Sequence, residues 1–191
     1  MNHPFAPPVP VLHAISILEK SGHEAYLVGG CVRDMLLSHE PADWDVCTSA
    51  HPDAVKALFP GALETGLQHG TVTALMPVDT ATQTPTDMPS TADARASTTK
   101  PVPSRFPIEI TTFRADSDYR DHRHPDMVRF CSDLATDLSR RDFTINAMAW
   151  NPHSGLVDLF GGQKDLSAQL IRCVGDPLQR FGEDALRMLD R

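Results

Sequence analysis

One stretch near the N-terminus stands out, and it runs Leu27-Val28-Gly29-Gly30-Cys31-Val32-Arg33-Asp34-Met35-Leu36-Leu37. The short apolar run 25–28 predicts a buried strand, the two glycines predict a turn, and the apolar spacing after them predicts a helix over 32–38. Glycine lets the backbone approach a ligand closely, the first N–H groups of a helix point outward, and Arg33 offers a fork of donors. The stretch therefore predicts a turn that binds phosphate.

Two carboxylates follow this turn. Asp43 and Asp45 lie in a segment that is typical of a strand, and residues i and i+2 of a strand point to the same face. Two adjacent carboxylates repel each other unless a cation lies between them, and Mg²⁺ is the first choice for oxygen ligands. A Gly-Gly pair alone usually marks a turn, and Asp-x-Asp alone is usually a solvated loop. Their order and spacing together indicate chemistry on a nucleoside triphosphate.

The run Gly-Gly-x-Val-Arg-Asp-x-Leu-Leu, followed by Asp-x-Asp, resembles the signature of class II tRNA nucleotidyltransferases (CCA-adding enzymes) and bacterial poly(A) polymerases. The resemblance implies the catalytic head of a polymerase-β-like nucleotidyltransferase, an α/β (α+β) fold with a small, mixed, largely antiparallel sheet flanked by helices. It implies template-independent transfer of CMP and AMP from CTP and ATP to the 3′ end of tRNA. Asp43 and Asp45 would hold Mg²⁺, and Gly29, Gly30 and Arg33 would bind the nucleotide.

The composition sets limits on these interpretations. With 191 residues and 41% hydrophobic content, the chain can form one substantial domain. It contains no apolar run near the roughly 20 residues that span a bilayer and no signal-peptide layout, so we expect no membrane partner. Four scattered cysteines without a Cys-x-x-Cys pair favour a reduced cytoplasmic protein without zinc. The net charge of −8 suggests that an RNA-binding surface is local or lies on other parts.

Several further elements follow from periodicity and turn residues. We expect a helix over 11–21, a helix that begins near Ser49 as a cap and ends at Phe59, a strand over 71–76, and a strand over 107–114 that pairs with it. Residues 77–105 are rich in Pro, Thr, Ser and Ala and predict a disordered insertion between these strands. Glu109 on the second strand is either a surface residue or a third carboxylate of the metal site. The resemblance favours the site, because this strand lies beside the Asp-x-Asp strand in relatives.

The segment 114–130 is polar and predicts a loop. His122, His124 and Asp126 within it leave open a metal-dependent hydrolase, although no scaffold for such ligands is visible in the sequence. The segment also resembles the mobile loop of the CCA-adding family, which helps the switch from C to A addition. Its presence argues against a relative that adds only C.

A second motif runs from Asp137 to Ala149 and contains Arg140 and Arg141. Two adjacent arginines need anionic partners when they are buried, and a triphosphate is such a partner. Asp142 and Asn146 are four residues apart and share a face if the segment is helical, so they would orient Arg141 or meet the ribose. The family pattern Arg-Arg-Asp-x-Thr-x-Asn-Ala favours a nucleotide site over a solvated arginine pair.

A third motif lies near the C-terminus. On a helix, Asp184 and Arg187 are neighbours three residues apart, so they present one acceptor beside one donor. Such a pair could accept cytosine and adenine and reject uracil and guanine. On spacing alone an ordinary surface ion pair is the simpler interpretation. The position of the pair as the third motif in the family order favours selection of CTP and ATP. Relatives usually carry a further arginine where this chain has Asp190. We expect a catalytic head over 1–175 and the start of a truncated helical neck over 176–191, as in a fragment, a truncated product or half of a split enzyme.

Three rival interpretations stay open on the sequence. A poly(A) polymerase, an A-adding enzyme and a CC-adding enzyme share the head motifs, so product length on a defined tRNA has to separate them. A nucleotide-binding fragment without independent activity would bind ATP or CTP but would not incorporate them. The metal-dependent hydrolase is the third.

Overall fold

The computed structural model describes residues 7–78, 105–115 and 129–178. Asp184, Arg187, the histidines of the 114–130 segment and most of the expected insertion lie outside the described residues. The helices are α1 (Val9–Lys20), α2 (Gly30–Leu36), α3 (Pro52–Leu58), α4 (Leu134–Ser139) and α5 (Gly162–Ser167). The strands are β1 (Ala25–Val28), β2 (Asp45–Thr48), β3 (Leu63–Gly66), β4 (Thr71–Pro77), β5 (Arg105–Thr112), β6 (Arg114–Ala115), β7 (Arg129–Phe130), β8 (Met148–Asn151) and β9 (Gly155–Asp158). Short 3-10 turns occupy Leu67–His69 and Thr144–Asn146.

Seven strands form one sheet in the order β3-β4-β5-β2-β1-β8-β9. Strands β2 and β5 run parallel, and the other neighbouring pairs in this sheet run antiparallel. Strands β6 and β7 form a separate two-stranded ribbon. The expectation of a mixed, largely antiparallel sheet with flanking helices is confirmed.

The register of the sheet brings one row of side chains together. Asp45 on β2 pairs with Glu109 on β5, and Glu109 pairs in turn with Thr73 on β4. Residues in register on neighbouring strands point to the same face of a sheet. Asp45, Glu109 and Thr73 therefore lie side by side across three strands, although 64 positions of the sequence separate Asp45 from Glu109 (109 − 45).

The two faces of the sheet bury separate apolar clusters. The larger cluster packs α1 and α3 against alternate residues of the central strands, such as Val46, Val72 and Ile110, which are almost fully buried. The smaller cluster lies on the opposite face, where α4 covers one part of the sheet; it comprises Val28, Cys47, Phe113, Leu134, Leu138 and Ala149. Each fully buried aliphatic or aromatic side chain contributes about 1.5–3 kcal/mol. The row of polar side chains from Asp45 to Thr73 shares the face of the smaller cluster.

Several expected boundaries are wrong. Helix α3 has His51 at its N-cap position, while the Ser49 hydroxyl accepts a hydrogen bond from the backbone N–H of Glu24 at 2.9 Å, so Ser49 is not the cap. Pro77 and Arg105, expected in the insertion, are paired strand ends of β4 and β5. Sequence analysis missed β3 and β8, because both are short segments whose pairing partners are decided by the sheet.

Candidate active site

Three acidic residues lie near the start of β2. Asp45 is partly buried, Glu109 lies opposite it in register, and Asp43 is exposed in the bend before the strand. Burial raises the pKa of Asp45 to about 6, and the negative charges of Glu109 and Asp43 add to this effect while Arg141 opposes it. Because β2 begins at Asp45, strand alternation does not explain how Asp43 meets it. The charge of Asp43 nevertheless contributes to the raised pKa of Asp45, and carboxylates that repel one another attract a cation.

The oxygen donors at this place suit a hard divalent cation. Among the residues that the structure describes, no group of three or more His, Cys, Asp or Glu side chains is arranged to hold a metal ion. Mg²⁺ is commonly bound through one or two carboxylates together with waters and substrate phosphates, so it does not need a complete protein cage. Asp43 and Asp45 supply two such carboxylates, and a bound phosphate would complete the coordination.

The glycine turn packs directly against the second motif. Gly29 has φ +77°, a left-handed conformation that suits glycine, and it precedes the first residue of α2. Its backbone N–H donates to the carbonyl of Met148 on β8. A Cβ atom at Gly29 would lie 3.3 Å from Nη1 of Arg141, so a side chain here would crowd that guanidinium. The absence of a side chain at Gly29 thus allows Arg141 to lie against the turn.

Arg33 is connected to the Arg-Arg-Asp motif by hydrogen bonds. Its Nη1 donates to Oδ1 of Asn146 at 2.8 Å, across 113 positions of the sequence, and its Nε donates to Asp34 at 2.9 Å. The amide of Asn146 donates in turn to Oδ1 of Asp142 at 3.4 Å. Asp142 and Asn146 are hydrogen-bonded to each other as residues on one face would be, but the segment forms a 3-10 turn and not an α-helix. The described hydrogen bonds of Asn146 reach Arg33, whereas the sequence predicted that the two residues would orient Arg141. Their arrangement holds Arg33 in one orientation.

Asp137 is a residue that sequence analysis did not single out. Its side chain is 1% exposed, and it accepts hydrogen bonds from Nε of Arg140 at 3.1 Å and from Nη2 of Arg141 at 3.2 Å. It also accepts from the backbone N–H of Arg114 at 3.0 Å. Burial alone would raise the pKa of Asp137, but Arg140 and Arg141 hold it below its usual value. In the sequence, this contact was indicated only by the position of Asp137 three and four residues before the two arginines, the spacing at which helical side chains meet.

The arginines outnumber their acidic partner. Nε of Arg141 and Nε of Arg114 are buried and have no hydrogen-bond partner among the described residues. Burial lowers the pKa of Arg114 to about 10, and the neighbouring charge of Arg140 adds to this effect. Within the described residues, Asp137 accepts hydrogen bonds from the side chains of Arg140 and Arg141, and Asp45 is a further negative charge near Arg141, so three positive charges face two carboxylates. An anion beside Arg141 would be favourable for this reason.

The comparisons with known proteins identify the family. Residues 25–172 match the family described as the Poly A polymerase head domain. The chain belongs to this family. This head domain is 45% identical over 185 residues to the CCA-adding enzyme of Lactobacillus helveticus, which covers 97% of this chain and 39% of that protein. It is 42% identical over 189 residues to the CCA-adding enzyme of Bacillus velezensis, covering 99% of this chain and 40% of that protein.

Solved structures agree with this membership. The head domain resembles the Bacillus stearothermophilus CCA-adding enzyme in complex with CTP, with a TM-score of 0.74 and 35% identity over 99% of this chain and 38% of that one. It resembles the Thermotoga maritima CCA-adding enzyme complexed with tRNA with a TM-score of 0.61 and 26% identity, covering 94% of this chain and 35% of that one. The chain spans about two fifths of the length of the curated relatives it matches.

The site of this head domain has a positive and a negative half. Arg33 and Arg141 lie beside the glycine turn that follows β1, and Asp43, Asp45 and Glu109 lie at the adjacent ends of β2 and β5. Asp184 and Arg187, the candidate base-reading pair, lie outside the described residues. Within the described ranges, no helix has both the length and the apolar character needed to cross a membrane.

Proposed function

We propose that this chain is the catalytic head of a CCA-adding enzyme, which transfers CMP and AMP from CTP and ATP to the 3′ end of tRNA. Family membership and relatives at 42–45% identity that carry this name support the proposal. The observation that carries it is the contact between the glycine turn and Arg141, next to the carboxylate of Asp45 whose pKa is raised to about 6. Arg141 is a suitable partner for a triphosphate, and the carboxylate of Asp45 is a suitable partner for a divalent cation.

In this proposal Gly29, Gly30, Arg33 and Arg141 hold the triphosphate, and Asp43 and Asp45 hold Mg²⁺. Bound Mg²⁺ would activate the attacking hydroxyl and neutralise the charge that develops on the leaving oxygen. The RNA 3′-oxygen forms a bond to the α-phosphorus, and the bond from that phosphorus to the pyrophosphate oxygen breaks. The hydroxyl proton passes to solvent, and pyrophosphate leaves with the electron pair of the broken bond. Asp142 and Asn146 keep Arg33 oriented towards the phosphates.

Base selection is assigned to Asp184 and Arg187. An acceptor beside a donor pairs with the amino group and ring nitrogen of cytosine or adenine, and it opposes the reversed pattern of uracil and guanine. This rests on the helical spacing of the two residues and on the family resemblance. We place the activity in the cytoplasm, since the four cysteines are scattered along the chain without a Cys-x-x-Cys pair, which suits a reducing compartment.

A poly(A) polymerase or A-adding relative is the second candidate, because the matched family is described by poly A polymerase. One extension assay separates the candidates. The protein is mixed with Mg²⁺, the four triphosphates singly and in pairs, and tRNA transcripts that end before CCA, after C, or after CC. Ordered addition of C, C and A, never U or G, is the expected result. Long A tails would instead indicate a poly(A) polymerase, and addition of a single A would indicate an A-adding enzyme.

Catalysis by the carboxylates has its own test. Asp43→Ala and Asp45→Ala should each abolish extension while the fold is retained, as judged by circular dichroism. Near-normal turnover in either variant would contradict the metal-dependent mechanism. Binding of CTP and ATP without any extension by the unchanged protein would instead indicate a nucleotide-binding head that does not act by itself.

A further inference from the structure

The guanidinium of Arg33 is held along two of its edges. Its Nη1 donates to Oδ1 of Asn146 at 2.8 Å. Along another edge, Oδ1 of Asp34 accepts from Nε at 2.9 Å and lies 2.9 Å from Nη2. Asn146 is already part of the proposed function, whereas Asp34 has no role in it.

This arrangement places the end of the guanidinium against the glycine turn. A Cβ atom at Gly30 would lie 3.6 Å from Nη2 of Arg33, so this end of the side chain covers the turn. Each terminal nitrogen of a guanidinium carries two N–H groups. Nη1 and Nη2 therefore each keep a second N–H beyond the contacts with Asn146 and Asp34. Two such donors side by side suit the oxygens of one phosphate group.

The contact between Arg33 and Asp34 differs from an ordinary ion pair on a helix. Adjacent residues on a helix do not face each other, whereas residues three apart do, as Asp53 and Lys56 illustrate on α3. The side chains of Arg33 and Asp34 are 31% and 25% exposed, so solvent partly screens their charges. The pair therefore adds little to the free energy of folding. Its main consequence is the direction in which the guanidinium points.

Arg141, the second arginine at the glycine turn, is held in a similar way. Its Nη1 would lie 3.3 Å from a Cβ atom at Gly29, while its Nη2 donates to Oδ2 of Asp137 at 3.2 Å. Arg33 and Arg141, which both border the turn, are thus each held by a carboxylate. A carboxylate lowers the net positive charge at a phosphate site, so its presence at both arginines is better explained by orientation than by attraction of an anion.

We propose that Asp34 is a positioning residue, which fixes the guanidinium of Arg33 so that its remaining N–H groups meet the phosphates of CTP or ATP. The inference rests on the proposed function and adds a residue to it. Asp34 itself does not touch the nucleotide. It acts through Arg33, because a side chain that is already held in its binding orientation loses less conformational entropy when the triphosphate binds.

Replacement of Asp34 separates orientation from simple charge, because the two explanations predict opposite signs. If Asp34 only repels the triphosphate, Asp34→Ala tightens binding, by about twofold to fivefold for like charges several ångströms apart in water. If Asp34 positions Arg33, Asp34→Ala weakens binding by about tenfold, as for a lost charge-assisted hydrogen bond. Asp34→Asn keeps an oxygen that can accept from Nε, so its binding should stay within about threefold of that of the unchanged protein.

Isothermal titration calorimetry in the presence of Mg²⁺ measures the Kd of two probes, CTP and inorganic tripolyphosphate. Tripolyphosphate has no base or ribose, so an equal effect on both probes assigns the effect to the phosphate contacts. In the extension assay, Asp34→Ala should raise the KM for CTP, while the KM for the acceptor RNA stays within about twofold of its original value. The matched control is Asp53→Ala, which removes the carboxylate of an ion pair on another short helix and should leave both values unchanged. Circular dichroism checks that each variant is folded.

A double-mutant cycle with Arg33→Ala tests whether Asp34 acts through Arg33. Once the guanidinium is absent, Asp34→Ala should weaken binding no further. A purely structural role of Asp34 would weaken binding equally in both backgrounds, and that result would overturn the proposal. Unchanged or tighter binding by Asp34→Ala alone, or equal weakening by Asp34→Asn and Asp34→Ala, would overturn it as well.

The role of Asp34 and the proposed function can fail separately. A protein that binds tripolyphosphate in the expected pattern but extends no RNA would contradict the proposed function and leave the role of Asp34 standing. Ordered addition of C, C and A together with an unchanged Kd in Asp34→Ala would do the reverse. Binding of neither probe by the unchanged protein would overturn both.

Discussion

Replacement of Asp45 by asparagine should make the metal-free protein more stable and inactive at the same time. The pKa of Asp45 is raised from 3.8 to about 6, first by burial and then by the charge of Glu109. Each unit of pKa difference corresponds to about 1.36 kcal/mol between folded and unfolded states. The ionised side chain therefore costs the folded state about 3 kcal/mol at pH 8, or about 1–2 kcal/mol once partial exposure to solvent is taken into account.

The pH dependence of this cost has a definite sign. A carboxyl group with a raised pKa binds its proton more tightly in the folded state, so the cost is absent below about pH 3.8. It grows between pH 3.8 and about 6 and stays constant above that. Asp45→Asn removes the charge, so its advantage over the unchanged protein should appear across this window and persist at pH 8.

Urea unfolding in EDTA at pH 8 measures the difference, with Asp53→Asn as the control. Asp53 has a side chain that is 94% exposed, and it forms a surface ion pair with Lys56 in the first turn of α3, so its replacement should lower the free energy of unfolding by no more than about 1 kcal/mol. A gain of 1–2 kcal/mol for Asp45→Asn corresponds to a rise of about 2–8 °C in Tm for a chain of this size. Mg²⁺ should stabilise the unchanged protein and reverse or erase the advantage of the variant. Equal or lower stability of Asp45→Asn in EDTA would refute the argument.

Three further predictions concern the residues around the arginines. Asp137→Ala should lower the free energy of unfolding by about 3–5 kcal/mol in urea titrations, because it leaves buried arginines without their acceptor. Since the pKa of Asp137 is lowered in the folded state, its contribution to stability is present above pH 3.8 and is lost as the pH falls through the folded pKa. Gly29→Ala should cost about 1–2 kcal/mol, since φ is +77°, and raise the KM for CTP by crowding Arg141; an unchanged KM would contradict that contact. Asn146→Ala should raise the KM for CTP several-fold in steady-state assays by releasing Arg33, whereas a change in kcat alone would argue against an orienting role.

Local sequence patterns predict several elements of this protein and its family. The apolar run, the two glycines and the helical spacing after them indicated strand β1, the turn and helix α2, because each depends on residues within one or two turns of chain. The order of the Gly-Gly and Asp-x-Asp motifs indicated the family, and the mixed, largely antiparallel sheet followed from that resemblance. The segment boundaries were less accurate, as Ser49 and Pro77 illustrate, since strand ends and caps depend on partners distant in sequence.

Tertiary structure alone decided which charges meet. Glu109 lies opposite Asp45 because β5 inserts in parallel beside β2, and no local signal specifies that register. Asn146 reaches Arg33 across 113 positions, and Asp137 is buried beneath two arginines for which the sequence predicted a triphosphate as the anionic partner. Electrostatic energy depends on distance in space and on burial, neither of which can be read from residue order. The sequence by itself therefore determined the motifs and the family they indicate, whereas packing of the sheet placed the arginines beside β1 and the carboxylates at the adjacent ends of β2 and β5.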